Sequence, residues 1–296
     1  MYPTQPERPA TLLALLYCKL GLLVFTTSVQ ADLESPAAAE YAPPGHEQPA
    51  NVPGGVALVQ RPGPETTVSF AGREAMYINN MAIVAIPVDT KPGSHSIQLQ
   101  TGDTVTEQQF EVRDKQYTEQ HITIKNQALV DPPAETLARI REESARQRKL
   151  YRNYRRDNEL SDGFLLPLQG ITTSLFGHRR FFNGQPRSPH SGLDIAADTG
   201  TPIVAAGNGI VTLADDLYFN GNTVFIDHGQ GLVTMYCHMS AINVVEGEAV
   251  KQGDTIGLVG ATGRATGPHL HWSVSLGGYR IDPEVFLREL NQLVTN

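Results

Sequence analysis

Apolar residues between Gly54 and Asn126 come in short runs set apart by turn residues. The runs are Val56-Ala57-Leu58-Val59, Thr67-Val68-Ser69-Phe70, Ala82-Ile83-Val84-Ala85-Ile86, Ser96-Ile97-Gln98-Leu99, Gln109-Phe110-Glu111-Val112 and His121-Ile122-Thr123-Ile124. Each has strand length, and Arg61-Pro62-Gly63-Pro64 and Lys91-Pro92-Gly93 read as turns between them. Six or seven short strands at this spacing predict a small antiparallel β-sandwich over residues 53–127. From about Pro133 to Asp157 the pattern turns charged, with Leu137, Ile140 and Leu150 as the few apolar anchors. That predicts a solvated helix within a 128–162 connection. From Gly163 onward the pattern is β again, and this stretch holds 19 of the 27 glycines in the chain. Tight turns between short strands are expected over 163–296, with helix only from Pro283 to Leu293. The fold class expected is mainly β: an N-terminal sandwich, a charged connecting helix and a C-terminal antiparallel β domain.

Composition adds bounds. The chain has 296 residues, 40% hydrophobic and 18% charged, which suits about two domains with cores of their own. A net charge of −8 gives no basic face for a nucleic-acid partner. At the N-terminus Arg8 precedes an apolar run from Thr11 to Val24, and Val29 and Ala31 are small residues before a cleavage point. Residues 1–31 therefore read as a cleaved export signal. The alternative is a membrane anchor, but Lys19 splits the run and leaves it short for a bilayer of about 30 Å. No later run is long enough to span, so no stable membrane span is expected after cleavage. Residues 32–52, rich in Ala, Pro, Glu and Gly, read as a flexible linker. The expected address is the periplasm or another part of the cell envelope.

Of the two cysteines, Cys18 leaves with the signal and Cys237 stays alone, so no internal disulfide is expected. Cys237 stands beside His238, but neighbours on a strand face opposite ways, so it reads as a small buried residue and not as a nucleophile. His95 and His121 are isolated and carry no constellation.

Six of the nine histidines lie between His178 and His271. His190 and Asp194 offer one nitrogen and one oxygen from a loop-to-strand segment. His269 and His271, two apart in a strand-like segment, project from one face. His238 ends another apolar run, Gly231 to Tyr236, and can project from an adjacent strand. Imidazole and carboxylate suit a zinc ion, and a catalytic zinc keeps one position open for water. Four histidines and one carboxylate are thus expected to converge on one sheet face.

The residues from Ser174 to Phe286 resemble the M23 family of zinc peptidases, also called lysostaphin-like or LytM-type. The resemblance is carried by Ser174-Leu175-Phe176-Gly177, His190-Ser191-Gly192-Leu193-Asp194, Gly200-Thr201-Pro202, Val224-Phe225-Ile226-Asp227-His228-Gly229, Tyr236-Cys237-His238-Met239, Val250-Lys251-Gln252-Gly253, Gly260-Ala261-Thr262-Gly263 and Gly267-Pro268-His269-Leu270-His271-Trp272. The Ile83-to-Pro87 and Lys115-to-Ile124 stretches also resemble an Ig-like domain that precedes this peptidase in some Gram-negative members. The resemblance implies one zinc on His190, Asp194 and His271, with His238 and His269 as non-ligand catalytic histidines. It implies a structural role for His228 and a supporting role at the cleft for His178. It further implies hydrolysis of peptidoglycan peptide cross-links, the D-alanyl–diaminopimelate bond above a pentaglycine bridge. Other readings are a catalytically silent activator of a cell-wall amidase, a secreted peptidase acting on proteins, and a wall-binding module. The last does not account for the histidines.

Overall fold

The computed structural model describes residues 49–157, 160 and 163–295. The expected export signal and most of the expected 32–52 linker lie outside the described residues.

Two antiparallel sheets form first along the chain. Val56–Gln60, Met81–Ala85 and Met76–Ile78 make one, and Arg73–Glu74, Thr66–Phe70, Gly93–Thr101 and Thr104–Val112 make the other. Val59, Val68, Val84, Ile97 and Leu99 fill the space between them. The smaller sheet is buried on both faces. Its Val56, Met76, Ile78, Ile83 and Ala85 point away from the sandwich and join a second cluster with Leu232, Trp272, Leu276 and Ile281. That is why Val56-Ala57-Leu58-Val59 and Ala82-Ile83-Val84-Ala85 run apolar without alternation: both faces are covered. The outer strand Thr104–Val112 is nearly all exposed and polar, as suits an edge.

One expected strand pairs elsewhere. The pattern places the His121 run in the sandwich, but Glu119–Ile122 lies parallel to Arg179–Phe182, with His121 opposite Phe181. Its alternating pattern fits any half-buried sheet, so the pattern alone does not name the partner.

The charged segment forms the helix Leu137–Tyr151. It is less solvated than its composition suggests. Tyr151 is buried with Leu213, Phe225, Met235 and Cys237. Arg139 pairs with Asp216, and Arg146 with Asp215 and Glu246. Exposed pairs of this kind are worth little singly, so the Tyr151 anchor carries the docking.

An eight-stranded sheet dominates the C-terminal part. Its order is Ala249–Val250, Gly209–Leu217, Gly221–Gly229, Leu232–Met239, His269–Leu276, Leu193–Ala196 and Ile171–Ser174, with Tyr279–Ile281 paired to His269–Leu276. Alternation along His269–Leu276 sorts its two faces. Leu270, Trp272, Val274 and Leu276 enter the core with the helix Pro283–Thr295 through Phe286 and Leu290. His269, His271, Ser273 and Ser275 take the opposite face. No helix of the described residues is long and apolar enough to cross a membrane.

Because Ile83 shares a core with Trp272, the only tryptophan, the N-terminal and C-terminal sheets should unfold together. Ile83→Ala is expected to cost about 2–5 kcal/mol. It should lower the denaturant midpoint equally by far-ultraviolet circular dichroism and by Trp272 fluorescence. A fluorescence midpoint that stays put would disprove the shared core.

Candidate metal centre

Register builds the site. Asp194 on Leu193–Ala196 lies directly opposite His271, and Cys237 on Leu232–Met239 lies opposite His271 from the other side. Directly opposed residues share a face, so three neighbouring strands bring Asp194, His271 and Cys237 side by side. His190 enters from the loop before Leu193, its main chain tied at both ends: His190 N donates to His178 O and Gly177 N donates to His190 O.

Three atoms converge. His190 Nε2 is 2.9 Å from Asp194 Oδ1 and 2.9 Å from His271 Nδ1, and His271 Nδ1 is 2.7 Å from Asp194 Oδ1. Their surroundings decide which carry protons. His190 Nδ1 sits 2.7 Å from Leu175 O, which only accepts, so that nitrogen holds the hydrogen. Burial pushes the His190 imidazole below its ordinary pKa, outweighing Asp194, so the ring is neutral and Nε2 is bare. The Ser273 hydroxyl donates to Ser191 O at 2.5 Å, which leaves its oxygen to accept from His271 Nε2 at 3.3 Å. Burial pulls His271 down to about 4, so its Nδ1 is bare as well. Arg180 Nη2 holds the other carboxylate oxygen, Asp194 Oδ2, at 2.7 Å. Three lone pairs therefore face one point inside the protein. Such an arrangement repels itself until a cation fills it, and an N₂O donor set suits a divalent transition metal. Among the described residues these three form a group that could hold a metal ion, with all ligand atoms within 4.8 Å of one another.

His238 reaches the same face against the expectation from alternation. The ladder between Gly221–Gly229 and Leu232–Met239 pairs Asn222 with Met239 but Val224 with Tyr236, so one extra residue sits in the second strand. His238 takes up the bulge in the left-handed region, with φ +66°. For a residue with a Cβ that conformation costs of order 1 kcal/mol or more. Its result is that Cys237 and His238 both line the hollow beside His271. The His238 ring lies 4.8 Å from that of His269 and 6.2 Å from that of His271. Its Nδ1 donates to Thr262 O at 2.8 Å, and His269 Nδ1 donates to Gly267 O at 2.8 Å, so both expose Nε2. Burial, with the like charges of His269 and His271, pulls His238 down to about 3. Burial pushes the Cys237 thiol well up, which keeps it a thiol.

The remaining histidines stand apart. His228 is wholly buried, with Nδ1 on Asn208 O at 2.6 Å and Nε2 on the Thr234 hydroxyl at 2.7 Å, so neither nitrogen is free. His178 supports the His190 main chain. His95 sits against Phe70 and Phe110, and His121 stacks on Phe181. Sequence reasoning passed over Arg180 and Ser273. Arg180 had a signal: it is two residues from the buried Phe182 on a strand, so it faces inward too.

Residues 188–283 match peptidase family M23. A peptidase M23 from Pseudomonas aeruginosa, solved by crystallography, is 38% identical, with the likeness covering 80% of this chain and 95% of that one at a TM-score of 0.66. The chain belongs to peptidase family M23. The chain is 45% identical over 113 residues to the peptidoglycan DD-endopeptidase ShyC of Vibrio cholerae, covering 38% of this chain and 26% of that protein. It is 44% identical over 94 residues to the DD-carboxypeptidase/endopeptidase Mpg of Neisseria meningitidis, covering 32% and 22%. The chain thus matches about a quarter of the length of these curated relatives. The M23 match takes in His190, Asp194, His238, His269 and His271 but begins after Arg180.

His228, buried neutral at about 4 against an ordinary 6.5, makes stability depend on pH. Its unfolded form binds the extra proton between those values, so the stabilisation is complete above about pH 6.5 and is lost as pH falls toward 4. His228→Gln is expected to reduce the slope of unfolding free energy against pH by about one proton in that window. Urea titrations from pH 4 to 7.5 check this, and parallel slopes for the two proteins count against it.

Proposed function

We propose that this M23 protein is a zinc-dependent endopeptidase that hydrolyses peptide cross-links of bacterial peptidoglycan, the D-alanyl–diaminopimelate bond in particular. The observation that carries the reading is the convergence of three bare ligand atoms beside two histidines with free Nε2 atoms. The named activities of ShyC and Mpg support the substrate class. His190, Asp194 and His271 would hold the ion. Zinc bound there supplies Lewis-acid polarisation of a carbonyl and lowers the pKa of a water from about 15.7 toward about 7.

The chain's own residues do the rest. His238 and His269 each spend Nδ1 on a main-chain carbonyl and keep Nε2 toward the reacting atoms. One takes the proton of the attacking water; the pair then steadies the developing oxyanion and returns a proton to the departing amine. Arg180 holds Asp194 Oδ2 and leaves Oδ1 turned toward the two histidines. The export signal expected over residues 1–31 would bring the enzyme to its substrate in the periplasm.

Purified peptidoglycan digested by the zinc-loaded protein is expected to release muropeptides cut at the cross-link, with mass analysis identifying the bond. A chelator should stop release and added zinc restore it. Unchanged release in chelator would remove the metal from the reading. His271→Ala should lose both zinc and activity. His269→Ala should keep about one zinc per chain while turnover falls on the order of 100-fold or more. A fully active His269→Ala protein would refute its assigned role.

A further inference from the structure

A second chemical feature adjoins the metal centre. A cavity of about 520 Å³ opens beside His190, and Arg180, Arg187 and Arg264 line it. Arg264 also lines the neighbouring hollow that contains His238 and His271, so it stands where the two meet.

Arg264 is held rigidly. Its guanidinium carbon lies over the rings of Phe182 and Phe219, 4.7 and 4.4 Å from their centroids. The loops that carry it are pinned together, with Arg264 N donating to Phe219 O at 2.7 Å. Gly221 and Gly263, at φ +63° and +68°, let the two loops touch where a Cβ on either would strike the other's main chain. Two aromatic contacts hold the guanidinium in place and leave its N–H groups to select a ligand.

Those groups lack an anion. Arg180 is committed to Asp194 at 2.7 Å, and Arg187 approaches Asp131 at 3.7 Å. Arg264 has no carboxylate partner among the described residues; its Nη1 reaches only the neutral Leu129 O, at 3.3 Å. Burial, then the like charges of Arg180 and Arg187, pull its pKa from 12.5 to about 10. Three cations around one cavity, one of them unpaired and desolvated, form a site that an incoming anion completes.

We propose that Arg264, flanked by Arg187 and Arg180, binds a substrate carboxylate borne on the carbon next to the scissile nitrogen. The inference rests on the peptidase reading above and narrows its substrate. In a D-alanyl–diaminopimelate cross-link the carbon that carries the scissile nitrogen also carries a free carboxylate. An internal glycine–glycine bond has none there. The planar fork of an arginine matches a carboxylate with two parallel hydrogen bonds, which fixes the amide relative to the ligand atoms.

The test uses the zinc-loaded full chain and two cross-linked peptides that differ only at that carbon, one with a free carboxylate and one with a carboxamide. The wild type is expected to prefer the acid by about 10–100-fold in kcat/KM. Arg264→Gln should erase the preference by lowering turnover of the acid while changing the amide less than about 3-fold, and Arg264→Lys should restore part of it. A wild type that treats both peptides alike overturns the proposal, as does an Arg264→Gln protein that loses both activities in equal measure while unfolding at the wild-type temperature. N-acetyl-D-alanine and its amide, added to the metal-free protein, give a readout free of turnover. The acid is expected to shift the Arg264 Nε–H resonance and the amide to leave it in place; no shift with the acid overturns the proposal. Should neither cross-linked peptide be cut while the acid still shifts the resonance, the carboxylate site stands and the peptidase reading falls. Cleavage without discrimination gives the reverse.

Discussion

Three lone pairs aimed at one buried point are the constraint to which the rest of the structure answers. A bare His190 Nε2, a bare His271 Nδ1 and an ionised Asp194 oxygen within 2.9 Å of one another repel until a cation neutralises them. The polypeptide must hold that arrangement before any ion arrives, and it does so through contacts that carry no ligand atom. Leu175 O sets one tautomer, Ser273 the other, and Arg180 turns the carboxylate. Each contact lies on a different strand or loop, so the sheet register is what makes them simultaneous. The chain's second burden is Arg264, a desolvated cation beside the candidate metal site. Both features store electrostatic cost in the free protein that a ligand of the right sign removes.

The fold meets this burden by giving each face of the large sheet a separate task. One face of His269–Leu276 is wholly apolar and shares its core with the N-terminal sheet. The other face is polar along its length, with the Tyr151 end of the connecting helix closing its lower part through Met235 and Cys237. The upstream chain therefore belongs to the site's architecture. Gln120 accepts from Arg180 Nε at 3.0 Å, and the carbonyls of Ala128, Leu129 and Val130 accept from Tyr218, Arg264 and Arg187. One wall of the cavity is consequently built from residues that precede the M23 match.

This division explains what could be read in advance. Strands announced themselves where burial is one-sided or complete, as at Val56–Gln60 and His269–Leu276, because hydrophobic pattern is a local property. The site was legible at His269 with His271, which follow period-two spacing, and at His190 with Asp194, which join a loop to a strand. Pairing partners were not, because the His121 run alternates in a way that fits either sheet. Nor was the bulge at His238, which looks like an ordinary strand residue until the ladder opposite it is counted. Alternation therefore sent Cys237 and His238 to opposite faces, whereas one extra residue at φ +66° puts both on one. Arg180 and Arg264 escaped because a buried arginine is marked by its aromatic and acidic neighbours, and those neighbours come from distant sequence.

What separates a working histidine from a silent one here is the count of nitrogens left over. His228 spends both, on Asn208 O and Thr234, and is a core residue despite lying within the stretch that matches the family. His190, His238 and His269 spend Nδ1 on a carbonyl and keep Nε2, while His271 spends Nε2 on Ser273 and keeps Nδ1. The exception follows from position. His271 sits on the central strand directly opposite Asp194, so its nearer ring nitrogen, Nδ1, meets the carboxylate oxygen, whereas His190 arrives from a loop and reaches in with the far one. Of the two residues that keep Nε2 without joining the ligand group, His238 comes from a bulge, whereas His269 opens its strand in regular register, two residues before His271. Regular sheet geometry thus fixes Asp194, His269 and His271, and a single departure from it brings His238 beside them.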